Sequence, residues 1–302
     1  MESQDWRAWA REFSPTASLR VLSARDESAT FLAQNNERRT LLRLFDAARH
    51  GRDQVAFEWR LLAFLDGADG RAPRALRRLE AERVEGMEVE FLVGKPPRKD
   101  APASWRAVGE TLALLHAQLR GLPLEGAPLW TFARIAAPLE DERLATFVAH
   151  DEIEALRAIA GRIQHTFERH TNDALWSGAI HSDVHTHNVA LSSSGRAALF
   201  DWGECGVGPR LYDLGVPIAD AMFDFPEHAQ AIREALLHGY ARTEPNFQSV
   251  QNDVNAFVAA RLLEIVSWPL TTPTAFDPQA QHEREAQIAS HCLRLAQSLQ
   301  LP

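Results

Sequence analysis

A chain of 302 residues is long enough for one large domain or two smaller ones with real cores, and 24% charged with 45% hydrophobic residues is the balance of a soluble globular protein. A formal net charge of −9 argues against a general nucleic-acid surface. No apolar run reaches the length of a bilayer span, and the charged opening "MESQDWRAWAREFSP" lacks the apolar stretch of a secretory leader. The two cysteines, Cys205 and Cys292, match no zinc spacing and read as reduced thiols. The expectation is a cytoplasmic protein that binds neither nucleic acid nor membrane, with no sequence signal of its oligomeric state.

Trp6, Trp9, Ala10 and Phe13 fall at helical spacing and predict a short amphipathic helix. Residues 19–45, "LRVLSARDESATFLAQNNERRTLLRLF", read as three short strands, with "NNE" a turn and "TLLRLF" the third strand. "GRDQVAFEWRLLAFLDG" is a helix that Asp53 would start and Gly67 would stop. "ALRRLEAERVEGMEVEFLVG" returns to strand character, with a turn placed at "EG", and residues 94–103, "GKPPRKDAPA", are linker-like. Beyond them the pattern predicts helices over 104–120, roughly 139–170, 226–242, 250–266 and 282–299. The exception is "IHSDVHTHNVALSSSGRAALFDWG", which alternates loop and short strand around a Ser-Gly turn. The fold class is therefore α+β, a small antiparallel-sheet lobe over residues 1–93 and a larger, mostly helical lobe over 94–302, hinged near residue 94.

Chemistry concentrates in that exception. "HSDVHTHN" spaces His181, Asp183 and Asn188 as His-x-Asp-x4-Asn, and Asp201 follows thirteen residues later in "FDWG". The intervening "VALSSSGRAALF" reads as a hairpin, which brings Asp201 back beside Asp183 and Asn188. Two carboxylates and an amide oxygen suit Mg²⁺, a hard ion that prefers oxygen. Phosphoryl transfer needs that set: one carboxylate to orient the attacking hydroxyl, and an Asn and a second Asp to hold magnesium on the phosphates. A zinc site from His181, His185 and His187 is the alternative, and it leaves Asn188 and Asp201 without a role.

The stretch "HSDVHTHNVAL…LFDWGECGVGPRLYDLG" resembles the catalytic segment of the aminoglycoside phosphotransferase/choline kinase family, relatives of the protein kinases. The resemblance implies a two-lobed protein-kinase-like fold and a phosphotransferase that uses ATP (or GTP) and Mg²⁺, with Asp183 as catalytic base and Asn188 and Asp201 as metal ligands. It also implies a cation on the third strand, held by a helix glutamate. Of 32 basic residues only Lys95 and Lys99 are lysines, both at the linker, so Arg43 takes that place. Glu58 shares a helix face with Val55, Leu61, Leu62 and Leu65, an expensive position for a carboxylate unless Arg43 pairs with it. The loop "ARDESAT" contains no glycine, so Ser28 and ordinary backbone amides would cover the nucleotide. Glu90–Val93 would be the hinge that holds adenine, with Glu90 and Leu92 as contacts. Asp213 in "LYDLG" would brace the catalytic loop from below, His181 would bond backbone near Asp201, His185 would be structural, and His187 would face solvent. His116 reads as a core residue, and Cys205 is assigned no chemistry.

The expected acceptor is a hydroxyl of a small molecule such as an amino alcohol, a sugar, an aminoglycoside or a homoserine-like compound. A nucleotide-binding pseudokinase and a Ser/Thr protein kinase of the bacterial stress-response type are the alternatives. Asp220, Asp224, Glu264 and Trp268 are candidate pocket residues. Glu264 and Trp268, four apart on one helix face, would suit a cationic group; the other reading is a capped helix end with an amphipathic Trp before Pro269.

Overall fold

The computed structural model describes residues 6–301 apart from 26, 37, 49–51, 82 and 272–277. Asp26 of the glycine-free loop and Glu37 of the predicted "NNE" turn therefore lie outside the described residues. Strands β1 (Ser18–Ala24), β2 (Ser28–Asn35), β3 (Arg38–Asp46), β4 (Ala75–Glu80) and β5 (Val84–Glu90) pair antiparallel in the order β1-β2-β3-β5-β4. Helix α1 (Trp6–Phe13) covers one face, where Trp6 and Ala10 meet Phe31, Leu42, Leu44 and Leu79. Helix α2 (Arg52–Leu65) lies on the other. Successive side chains alternate across a strand, so sending Leu42 and Leu44 toward α1 leaves Arg43 on the α2 face.

One turn sits elsewhere than expected. β4 ends at Glu80 and β5 has already begun at Val84, so Gly86 of the predicted "EG" turn lies inside β5 opposite Leu44. A Cβ on Gly86 would stand 2.2 Å from the Arg43 carbonyl oxygen. The glycine lets two strands approach closely; it does not reverse the chain.

The larger lobe is built on α3 (Pro102–Leu119), α4 (Phe132–Ala136), α5 (His150–Asn172), α6 (Tyr212–Asp224), α7 (Ala229–Thr243), α8 (Val254–Thr271) and α9 (Pro278–Ser298). The helix expected over 139–170 begins only at His150, because residues 137–146 form two 3-10 turns, the second capped by the Asp141 side chain accepting from the Arg143 amide. Helix α6 is not among the helices that the sequence pattern predicts. Its residues from Tyr212 through Ala219 are all buried, so no polar face alternates with the apolar one, and Gly215 and Pro217 interrupt the run. Two small ribbons complete the lobe: β6 (Ser177–Ile180) pairs with β9 (Gly206–Pro209), and β7 (Val189–Leu191) with β8 (Ala197–Leu199). A single apolar cluster runs from α2 and β5 into the helices, joining the lobes. Among the described residues, no helix is long and apolar enough to cross a membrane.

Candidate active site

The predicted hairpin forms, with Val189 opposite Leu199. It sets the β6–β7 loop, which carries Asp183, beside the segment after β8, which carries Asp201. Asn188 Nδ2 donates to the Asp183 carbonyl (2.9 Å) and to its Oδ2 (3.0 Å), which leaves the amide oxygen of Asn188 as its remaining acceptor. Two residues here adopt the left-handed region without being glycine, Ser182 (φ 65°) and Asp201 (φ 61°). Such conformations persist only where surroundings hold them. At Ser182 the hold is explicit: its amide donates to Asp213 Oδ1 (2.6 Å) and its hydroxyl to the Glu204 carbonyl (2.6 Å).

Asp213 also accepts from the His181 amide (2.9 Å) and from Nε2 of His116 (2.9 Å), whose Nδ1 accepts from the Tyr240 hydroxyl (2.9 Å). The buried carboxylate thus pins the loop from below. Burial lowers the His116 pKa against the pull of Asp213, so the ring is neutral and this donor–acceptor pattern fixes its tautomer. His181, fully buried, bonds through Nε2 to the Phe200 carbonyl (3.0 Å) and packs its ring 4.5 Å from that of Trp202.

Arg43 reaches across the cleft. Nη1 bonds Glu58, which is 1% exposed, and Nη2 lies 2.9 Å from Asp201 Oδ1. Burial works to lower the Arg43 pKa, but the carboxylates of Glu58 and Asp201 outweigh it and raise it. A guanidinium does not give up its proton, so Arg43 stays charged. Burial pushes the Glu58 carboxyl up to about 7 despite the pull of Arg43, so the pairing offsets only part of the desolvation. Gly203 makes room: a Cβ there would stand 2.8 Å from Arg43 Nη2. Gln54, which the sequence did not single out, ties α2 to the same segment by donating to the carbonyls of Gly203 (2.8 Å) and Cys205 (2.9 Å).

Arg43, Glu58 and Asp201 line one wall of a cavity of 430 Å³ between the lobes, and Glu90, Phe91, Leu92 and Gly94 line its rim where the chain leaves β5. Thr30 and Ser23 contribute hydroxyls to it. Ser28 is not among its lining residues; it opens β2 two residues beyond Thr30 on the same face, farther out toward the loop. His187 is exposed and lines the cavity mouth.

Among the described residues, no three of His, Cys, Asp and Glu are placed to hold a metal. His181 is committed to backbone and His185 to Asp183, so the zinc alternative fails. Asn188 and Asp201 remain as oxygen donors, and Asp201, 56% exposed, faces the cavity. Two protein oxygens with phosphates and water completing the shell is the pattern magnesium takes, so these residues fit it.

The model of the phosphotransferase enzyme family matches residues 18–251. The chain belongs to that family. It is 24% identical over 233 residues to a homoserine kinase of Rhodopseudomonas palustris, covering 72% of this chain and 68% of the relative. A microcompartment-associated aminopropanol kinase superposes with a TM-score of 0.79 at 19% identity, covering 96% of each chain. An aminoglycoside phosphotransferase in ternary complex with ADP and hygromycin B gives 0.64 at 16% identity, covering 98% of this chain and 99% of that one. At such identities the structural likeness establishes the protein-kinase-like fold.

This phosphotransferase carries one residue at its site that the sequence analysis passed over. Arg261 of α8, 3% exposed, bonds Asp183 Oδ1 through Nη2 (2.9 Å) and Glu264 Oε2 through Nη1 (2.9 Å). His185 Nε2 stands 3.3 Å from Asp183 Oδ2. Burial works to raise the Asp183 pKa, yet His185 and Arg261 outweigh it and hold the carboxyl far below the usual range. Burial lifts the Asp220 carboxyl to about 6, tempered by Arg261. Glu264 and Trp268 are thus not an open box for a cation: Arg261 bonds the one and lies 4.8 Å over the ring of the other. Arg261 was detectable in "FVAARLLEIVSW", because a lone arginine in a nearly continuous apolar helix demands a buried partner.

Proposed function

We propose that this protein is an ATP-dependent kinase that moves the γ-phosphoryl group to the hydroxyl of a small molecule. The observation that carries the proposal is that Arg43 and Asp201, from separate chain segments, meet on the wall of one interlobe cavity, beside the loop in which Asn188 bonds Asp183. Residues 1–93 would hold the nucleotide and residues 94–302 the acceptor. Adenine enters under the rim at Glu90–Leu92, against the apolar lining of Leu41, Val89 and Ala190. Arg43, oriented by Glu58, contacts the α- and β-phosphates. Asn188 and Asp201 would hold Mg²⁺, which supplies charge neutralisation on the phosphates when bound.

Asp183 orients the acceptor hydroxyl. Its depressed pKa makes it a weak base, suited to a loose transition state in which the hydroxyl proton leaves late. The protein contributes position and charge, with no covalent step of its own. A homoserine kinase and an aminopropanol kinase among the similar proteins support a small hydroxyl compound as acceptor. The test is ADP release from Mg-ATP with a panel of amino alcohols, sugars and hydroxy amino acids, each product read by phosphorus NMR. A phosphate ester of one of them supports the proposal. Phosphorylation confined to protein serine or threonine, or no ADP above background with any acceptor, overturns it.

A further inference from the structure

Asp183, Asp220 and Glu264 gather around one cation of the chain. Arg261 bonds Asp183 and Glu264 at 2.9 Å each, and its Nε lies 3.7 Å from Asp220 Oδ1. Its guanidinium stacks on Trp268, and Glu264 accepts a further hydrogen bond from the Tyr212 hydroxyl (2.5 Å). Buried Nε has no hydrogen-bond partner among the described residues. The cluster is therefore built around the guanidinium, at the cost of one unmet donor.

Carboxylates beside an aromatic face are what a quaternary or primary ammonium seeks. Here the chain's own arginine already fills that place. The same arginine fixes Asp183: Oδ1 is held by Arg261 while Oδ2 is held by Asn188 and His185, so the carboxylate plane cannot turn. We propose that Arg261 is a positioning residue for Asp183 and the resident cation of the acceptor wall, so that the acceptor is recognised without a permanent positive charge held by Glu264, Asp220 and Trp268. The part that concerns Asp183 rests on the reading of that residue as the group that orients the acceptor hydroxyl. The part that concerns the wall does not.

The test uses the full-length protein and its Arg261→Gln and Arg261→Lys variants. Two probes are applied: tetramethylammonium chloride against equal sodium chloride in thermal unfolding, and slow hydrolysis of Mg-ATP with water as acceptor, beside Mg-AMP-PNP affinity. In Arg261→Gln the emptied wall should take tetramethylammonium, raising Tm by about 2 °C or more, while the parent shows no rise over sodium. Hydrolysis should fall roughly 10- to 100-fold in Arg261→Gln with AMP-PNP affinity retained, because misplacing Asp183 leaves the nucleotide site intact. Arg261→Lys keeps the charge, but its ammonium cannot fork to two carboxylates, so it should restore insensitivity to tetramethylammonium and only part of the rate. If Arg261→Gln does not fold, the Lys variant decides: a full parental rate overturns the positioning role. A parent that responds to tetramethylammonium as the Gln variant does overturns the resident cation. A parent that neither binds Mg-AMP-PNP nor hydrolyses Mg-ATP overturns the kinase reading and with it the positioning role, leaving the ammonium result to decide the wall.

Discussion

Removing either member of the Arg43–Glu58 pair tests the interlobe wall by its energetics. In Arg43→Met, Glu58 keeps its 1% exposure and loses its direct cation. Burial already drives that carboxyl to about 7 with Arg43 present, so without it Glu58 folds neutral at pH 7. The parent is itself half protonated there at pH 7, so the extra cost of keeping Glu58 neutral in the variant is near zero at pH 5 and about 1.4 kcal/mol at pH 8. The sign follows from the raised folded-state pKa: parent and variant both lose stability as pH rises from 4.5 to 7, and above 7 only the variant goes on losing it. Glu58→Gln instead leaves Arg43 with Asp201 at 2.9 Å, and the loss should be about 3 kcal/mol, the lower end for a broken buried pair. In the double variant no charge is stranded, so the two losses should fall short of additivity by about 2 kcal/mol. Urea unfolding of the nucleotide-free proteins, followed by tryptophan fluorescence at pH 5 and 8, measures all of this. Additivity within about 0.5 kcal/mol together with an Arg43→Met loss that is the same at both pH values would mean that the two side chains do not act as a pair.

Asp183→Asn preserves the shape and the bond to Asn188 but removes charge and proton acceptor; turnover should fall about 10²- to 10⁴-fold while ATP affinity changes little, as steady-state kinetics beside nucleotide titration will show. Loss of affinity in parallel would place Asp183 among the metal ligands instead. His116→Gln should be less stable than the parent at pH 8, where the bridge between Asp213 and Tyr240 is lost. Because burial lowers the His116 pKa, the parent loses stability as pH falls below about 6.5 and the variant does not, so the gap should narrow by up to about 1.4 kcal/mol per pH unit. Denaturant midpoints at pH 8, 6.5 and 5.5 check it: a constant gap would mean that folding leaves the ring's pKa unshifted, and a gap that widens as pH falls would mean that the folded ring is charged.

How much of the site could be read from the chain depended on how local its determinants are. Asp183, Asn188 and Asp201 lie within one loop and one hairpin, where spacing alone decides which side chains meet. Arg43 and Glu58 were readable at longer range, because the resemblance implies a cation on the third strand and the helix stripe leaves a carboxylate facing the core. Ser28 shows the limit: it shares a face of β2 with Thr30, but the depth of the cavity along β2 is a tertiary property, and of the two only Thr30 lines it. Arg261 lies 78 residues from Asp183, and only the packing of α8 against α6 brings it there. Helix α6 went unread for the related reason that an element buried on all sides carries no amphipathic signature. The Glu264–Trp268 pair was placed correctly on one helix face, while the cation it holds turned out to be three residues away in the chain itself.

The proposed function stands or falls on whether Asn188 and Asp201 hold magnesium on the phosphates of a nucleotide seated against Arg43. Calorimetric titration of ATP into the protein and into Asp201→Ala, each with and without Mg²⁺, tests it most directly. Mg²⁺ should strengthen ATP binding to the parent, and this gain should disappear in Asp201→Ala. An Asp201→Ala protein that binds Mg-ATP as tightly as the parent would contradict it.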